Sequence, residues 1–201
     1  MMRITTLSLC AWTVLAGVAR ANTVTALCVK DNTMFKESGA TSSGYGFGLI
    51  CGVNSQDNVR RVLVQFDVAS AVPAGSTVTG AVLTLDMSAY ESTLATTIEL
   101  HRVLEPWGEG TSTGGGIYVG APAHAGDATW THAQYPSIAW SVAGGAYVAA
   151  PTASLVVSQT GSYLWDSTPS LVADVQSFVD SPTSNFGWLL RCSDEVANAS
   201  A

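Results

Sequence analysis

The segment 60–110, RRVLVQFDVASAVPAGSTVTGAVLTLDMSAYESTLATTIELHRVLEPWGEG, constrains the fold of this chain more than any other. Val62, Val64 and Phe66 alternate with Leu63, Gln65 and Asp67. That two-residue period specifies a β-strand rather than a helix. Val78, Ala81, Leu83 and Leu85 repeat the signal after a Pro-Ala-Gly-Ser turn, and Ile98, Leu100 and Val103 repeat it before a Trp-Gly-Glu-Gly loop. No nucleophile elbow, phosphate loop or zinc spacing interrupts the run. The segment reads as scaffold that presents a surface, which points away from an enzyme.

The N-terminus carries an export signal. Arg3 supplies the positive region, 4–18 an apolar stretch, and Ala19-Arg20-Ala21 a small-x-small cleavage site. The apolar stretch falls short of the roughly 20 residues a membrane span needs, and no later segment supplies one. Residues 1–21 are therefore expected to be a signal peptide. The mature domain is expected at 22–201, soluble, with no transmembrane segment, and secreted or held at the cell surface. Removal of Arg3 and Arg20 takes the formal net charge of −7 two units further negative. Such a surface repels phosphate backbones, so nucleic acid is excluded as a partner.

Cys28, Cys51 and Cys192 remain after cleavage. An odd count in an exported chain leaves at least one thiol unpaired. Cys28 and Cys51 fall on the first two expected strands, and a disulfide between them is the candidate pairing. Cys192 reads as a small buried apolar residue.

Along the mature chain the expected strands are 24–29, 47–53, the three of the opening segment, 128–130, 153–157, 163–165 and 186–191. Residues 31–45 read as a polar surface loop, and 108–126, with Gly114 to Gly116 in a row, as a long one. Ser167-Thr168-Pro169 resembles a helix start, with a hydroxyl cap before Pro at the first helical position. Leu171, Val172, Val175, Phe178 and Val179 form one apolar stripe, and Pro182 stops it. Many short strands with one docked helix at 169–180 give an all-β class, an antiparallel β-sandwich of jelly-roll type.

Several motifs together resemble the DNRLRE domain, a family related to disaggregatase-associated modules and to alginate-type carbohydrate-binding modules. They are the arginine-led strand ending Phe66-Asp67, the Pro73-Ala74-Gly75 turn, Leu100-His101-Arg102-Val103 and the Trp107-Gly108-Glu109-Gly110 loop. Gly126-Asp127-Ala128-Thr129-Trp130, Tyr163-Leu164-Trp165, Asp174-Val175-Gln176 and Asn185-Phe186-Gly187-Trp188-Leu189-Leu190-Arg191 complete the set. The resemblance implies a polysaccharide-binding module of the cell surface or extracellular matrix. The chain departs from the family at 193–201, which lacks the usual Arg-Glu segment and closing strand, so an open sheet edge is expected there.

Candidate chemistry is sparse. His124, Asp127 and His132 fit no zinc spacing, and His101 at a strand end suits a structural hydrogen bond. Calcium is the one cation left open as a cofactor, through loop oxygens of Asp31, Asp57, Glu109 and Asp127, although no EF-hand alternation accompanies them. Glu105 and Glu109 flank Trp107, and with Asp127 could form a glycosidase pair. Glu109 holding its own loop by hydrogen bonds is the plainer reading. Trp165 and Trp188 lie in strands and belong to the core, whereas Trp107, Trp130 and Trp140, with Tyr118, Tyr135 and Tyr147, border long loops. Flat rings match the CH faces of sugars, and Trp130, Tyr135 and Trp140 are the candidate ligand-binding residues. The same rings could instead pin loops to the sandwich.

These readings converge on an exported, non-enzymatic module that binds polysaccharide. A structural module of a cell-surface layer is the alternative, and a glycan-cleaving enzyme is the third.

Overall fold

A computed structural model describes residues 22–90, 92, 94–114 and 119–195. The expected signal peptide at 1–21, Tyr118 and the last six residues lie outside the described residues. The expected all-β, antiparallel class with one docked helix is what forms.

The strands are β1 (Cys28–Phe35), β2 (Thr41–Ser42), β3 (Gly52–Val53), β4 (Val59–Phe66), β5 (Leu83–Met87) and β6 (Thr96–Arg102). They continue as β7 (Ala121–Pro122), β8 (His132–Gln134), β9 (Ile138–Ala139), β10 (Ala153–Val157), β11 (Gly161–Trp165) and β12 (Trp188–Cys192). A single turn, α1 (Val68–Ala71), follows β4, and α2 (Pro169–Asp180) precedes β12. The main sheet runs β10-β6-β12-β4-β1-β2-β7, with β3 also on β4. The ribbon β11-β5 and the hairpin β8-β9 stand apart from it.

The pleat explains how one sheet serves two cores. Val62 and Val64 on β4, Ile98 and Leu100 on β6, and Trp188 and Leu190 on β12 face one side. There they meet Leu83 of β5, Trp165 of β11, and Leu171, Phe178 and Val179 of α2. Leu63, Leu189 and Met34 point to the other side, against Trp107, Ala133 and Trp140 of the covering loops and hairpin. Side chains that alternate along a strand reach opposite faces, so β4 and β12 are buried on both. The second layer is a two-stranded ribbon plus a helix rather than a second full sheet.

Helix α2 forms as its local signals predict. Thr168 Oγ1 accepts the Leu171 amide at 3.0 Å and itself donates to the Thr152 carbonyl at 2.7 Å. The stripe packs Phe178 edge-on against Trp188, with ring centroids 5.2 Å apart. No helix among the described residues is long and apolar enough to cross a membrane.

Three expectations need correction. The first strand is β1, which runs through the supposed polar loop. Its polar residues are satisfied inside the fold: Asn32 and Thr33 are fully buried. Asn32 Nδ2 donates to Ser42 Oγ at 2.9 Å and to the Glu109 carbonyl at 2.6 Å, and Thr33 Oγ1 accepts the Ile50 amide at 3.0 Å. The expected strand at 47–53 shrinks to Gly52–Val53, and 128–130 is not a strand. The last described strand, β12, is interior to the sheet, pairing with β4 on one side and β6 on the other, and most of 193–201 lies outside the described residues.

The Cys28–Cys51 disulfide does not form, and both thiols are free. Register explains this. Cys28 stands opposite Phe66 at one end of β4, whereas Cys51 precedes Gly52, which stands opposite Arg60 near the other. Six residues of strand separate those ends by about 20 Å, far beyond the roughly 7 Å limit for bridging Cα atoms.

Candidate functional site

A cleft of about 360 Å³ opens between β1, the loop after β2 and the loop after β6, lined by Asp31, Gly44, Tyr45, Gly46, Phe47 and Glu109. Each wall is fixed by an identifiable contact. The Trp107–Gly110 loop is anchored by the Trp107 indole, whose Nε1 donates to the Phe186 carbonyl at 2.8 Å. Lys30 Nζ donates to the Trp107 carbonyl at 3.0 Å and lies 4.9 Å from the Trp107 ring centre. Beyond the cleft, fully buried Asp127 accepts the Thr111 amide at 2.7 Å, the His124 amide at 2.6 Å and the Ser112 hydroxyl. Gly110 sits at φ +81°, where a Cβ would fall 1.5 Å from Asp127 Oδ1, so only glycine fits.

The glycine-rich loop is held as closely at its base. Gly44 presses on the Glu109 carbonyl so tightly that a Cβ would come within 1.8 Å of the oxygen. The Tyr45 amide donates to the Ser112 carbonyl at 3.0 Å. Past these ties the loop carries two rings into solvent: Tyr45 is 75% exposed and Phe47 is 91% exposed. Burying an exposed aromatic ring is a large apolar gain, and these two leave that area uncovered beside the cleft.

The polar floor is acidic. Glu109 Oε1 accepts the Asp31 amide at 3.0 Å, which holds the two acids side by side. Burial, then the charge of Glu109, pushes the Asp31 carboxyl up. Burial likewise pulls the Lys30 ammonium down, against the pull of Glu109. Desolvated oxygens of this kind favour partners that donate hydrogen bonds.

The residues picked from the sequence are placed differently. Trp140 is only 6% exposed, and its Nε1 donates to the Thr129 carbonyl at 2.9 Å. It belongs to the core and offers no face to a ligand. Trp130 is half-buried, with the Arg61 guanidinium 4.7 Å from its ring centre. That arginine is held by both carboxylate oxygens of Glu195, at 2.7 and 2.6 Å, and donates to the Gly144 carbonyl at 2.7 Å. Tyr135 is half-buried, edge-on to His132 at 5.3 Å. Trp130, Tyr135 and Trp140 therefore do not share one exposed platform.

The four candidate calcium ligands do not converge either. Asp31 and Glu109 meet in the cleft, Asp127 is committed to loop amides, and Asp57 sits at φ 60° in the turn before β4. Among the described residues no group of three or more His, Cys, Asp or Glu is placed to hold a metal ion. Glu105 Oε2 accepts the Ser141 amide at 3.2 Å, and of Glu105, Glu109 and Asp127 the cleft is lined by Glu109. His101 is buried, with Nδ1 2.9 Å from the Val148 carbonyl and Nε2 3.2 Å from Glu99 Oε2, the structural role expected of it.

A second hollow, about 210 Å³, lies beside α2, lined by Arg102, Thr152 and Asp174 among others. Its acid is already engaged: Asp174 Oδ2 accepts Thr152 Oγ1 at 2.7 Å and Trp188 Nε1 at 3.0 Å. A signal in the sequence did mark the first cleft, the Gly44-Tyr45-Gly46-Phe47-Gly48 run. Rings set between glycines have no neighbouring apolar partner to bury them. No family model, no curated protein and no solved structure matches the chain.

Proposed function

We propose that the chain is an exported, non-catalytic β-sandwich module that binds polysaccharide at the cell surface or in an extracellular matrix. The observation that carries this reading is the pair of exposed rings, Tyr45 and Phe47, beside the acidic floor of Asp31 and Glu109. A sugar chain offers both matching chemistries. Its CH faces cover the rings, and its hydroxyls donate to the carboxylates. The resemblance to the DNRLRE domain supports the same reading. The floor also sets a preference. Two carboxylates repel uronates and sulfated sugars, so neutral polysaccharides are the ligand class that fits.

Affinity electrophoresis of the purified protein, in gels cast with neutral glycans or with alginate, tests this directly. Neutral polysaccharide should retard the parent. Tyr45→Ala and Phe47→Ala should each weaken retardation by about 1–2 kcal/mol of lost ring burial, roughly tenfold in affinity. The two changes leave the melting temperature unchanged, because neither ring is packed. A double variant that binds like the parent overturns the site, and retardation only by alginate with calcium overturns the neutral preference. New reducing ends would sink the non-catalytic reading. If no polysaccharide retards the parent, the structural-module reading replaces this one.

A further inference from the structure

We propose that Cys51 and Cys192 form a disulfide that ties the C-terminal strand to the start of the sheet. The geometry follows from competition for one edge of β4. Strand β1 occupies the other edge, with Arg61 opposite Met34 and Arg60 opposite Phe35. On the shared edge β12 pairs from Trp188↔Val64 to Leu190↔Val62 and then diverges, while staying on β6 through Cys192↔Ile98. Strand β3 takes over the vacated positions, with Gly52↔Arg60 and Val53↔Val59. Cys51 enters β3 where β12 leaves β4, so Cys51 and Cys192 lie on neighbouring segments of the two strands, which are in contact. Cys192 is part of the core beneath α2, with Cys51 packed against it. The neighbouring Cys192 thiol is the first cause that raises the Cys51 thiol above its ordinary value. Cys28 stands apart, exposed at the far end of β1, with its Sγ–H directed at the Lys30 carbonyl.

Formation proceeds by exchange with a small-molecule disulfide such as oxidised glutathione. The Cys51 thiolate is the first nucleophile, because Cys51 is the more accessible of the pair. It attacks one sulfur of the oxidant, forms a mixed disulfide and expels one glutathione thiolate. The Cys192 thiolate then attacks the Cys51 sulfur, closes the bond and expels the second. Two electrons pass to the oxidant, and the two thiol protons end on the released glutathiones. The neighbouring Cys192 thiol and burial push the Cys51 thiol well up, so the thiolate is scarce in the folded protein at neutral pH. The bond therefore closes fastest while the strands are still assembling.

The test refolds the reduced, denatured full chain with a glutathione redox pair, blocks remaining thiols, and maps peptides by mass spectrometry without reduction. A linked pair of peptides carrying Cys51 and Cys192, with Cys28 blocked, is expected. The linked product weighs two hydrogen atoms less than its separate parts. A bond to Cys28 or Cys10, or three blocked thiols at 28, 51 and 192, overturns the proposal. Where refolding is poor, the natively purified chain is oxidised at raised pH and mapped in the same way. A reducing agent should lower the melting temperature of the oxidised parent by several degrees and leave Cys51→Ala unmoved. Equal shifts in both overturn it as well.

Discussion

Replacing Trp140 by alanine separates a ring that holds the fold from a ring that lies open to solvent. Trp140 is 6% exposed and covers the second face of the sheet with Met34, Leu63, Val103, Trp107 and Leu189. A buried indole removes about 150–250 Å² from water, worth roughly 4–6 kcal/mol at about 25 cal/mol per Å². Alanine keeps a small part of that, and measured aromatic truncations in cores cost about 3–5 kcal/mol. The Thr129 carbonyl also loses the indole donor at 2.9 Å, which adds about 1 kcal/mol when no water reaches it. A total near 4 kcal/mol lowers the melting temperature of a domain this size by about 8–16 °C.

Phe47→Ala is the matched control. That ring is 91% exposed, and surface changes of this kind stay within about 0.5 kcal/mol. Circular dichroism melts and urea titrations of both variants measure the difference. Trp140→Phe refines it, because it keeps most of the apolar area while losing the N–H. It should recover more than half of the loss. Trp140→Ala melting within about 2 °C of the parent would refute the burial reasoning. So would an equal loss in Phe47→Ala.

Three further outcomes follow from individual contacts. Thr168→Ala removes the cap on the Leu171 amide and the hydroxyl bond to Thr152, and should cost about 1–2 kcal/mol by urea titration. Gly110→Ala forces a Cβ into Asp127 at a left-handed φ. It should destabilise the domain by at least about 1–3 kcal/mol and abolish polysaccharide retardation, since Glu109 is its neighbour. Asp31→Asn should raise the melting temperature near neutrality. Asp31 is held above its ordinary range in the folded protein, so its ionisation costs stability as pH rises past the unfolded value. That cost is absent at about pH 3, where the gain from asparagine should vanish.

How much of this was legible in the sequence depended on whether a signal was local. Helix α2 was, because its cap, its proline and its stripe lie within fourteen residues of one another, Thr168 to Ser181. Strand β4 was legible as a strand, but not as one buried on both faces, because a second covering layer is a fact of tertiary packing. Strand β1 was hidden by Lys30, Asp31, Asn32 and Thr33. A polar run reads as a loop until its partners are known, and the partner of Asn32 is a carbonyl 77 residues away.

The site failed to show for the same reason. Asp31 and Glu109 were each recognisable as loop oxygens, yet only the amide of Asp31 on Glu109 brings them together. Ring size is a poor guide to contact, because tryptophan is highly buried on average. Trp140 went inward because Ala133, Leu63 and Leu189 leave room for it over the sheet. Tyr45 and Phe47 stayed outside because glycines on either side give them nothing to pack on. In a chain this short of charge, the rings left in solvent are those set between glycines, and not the largest rings near a loop.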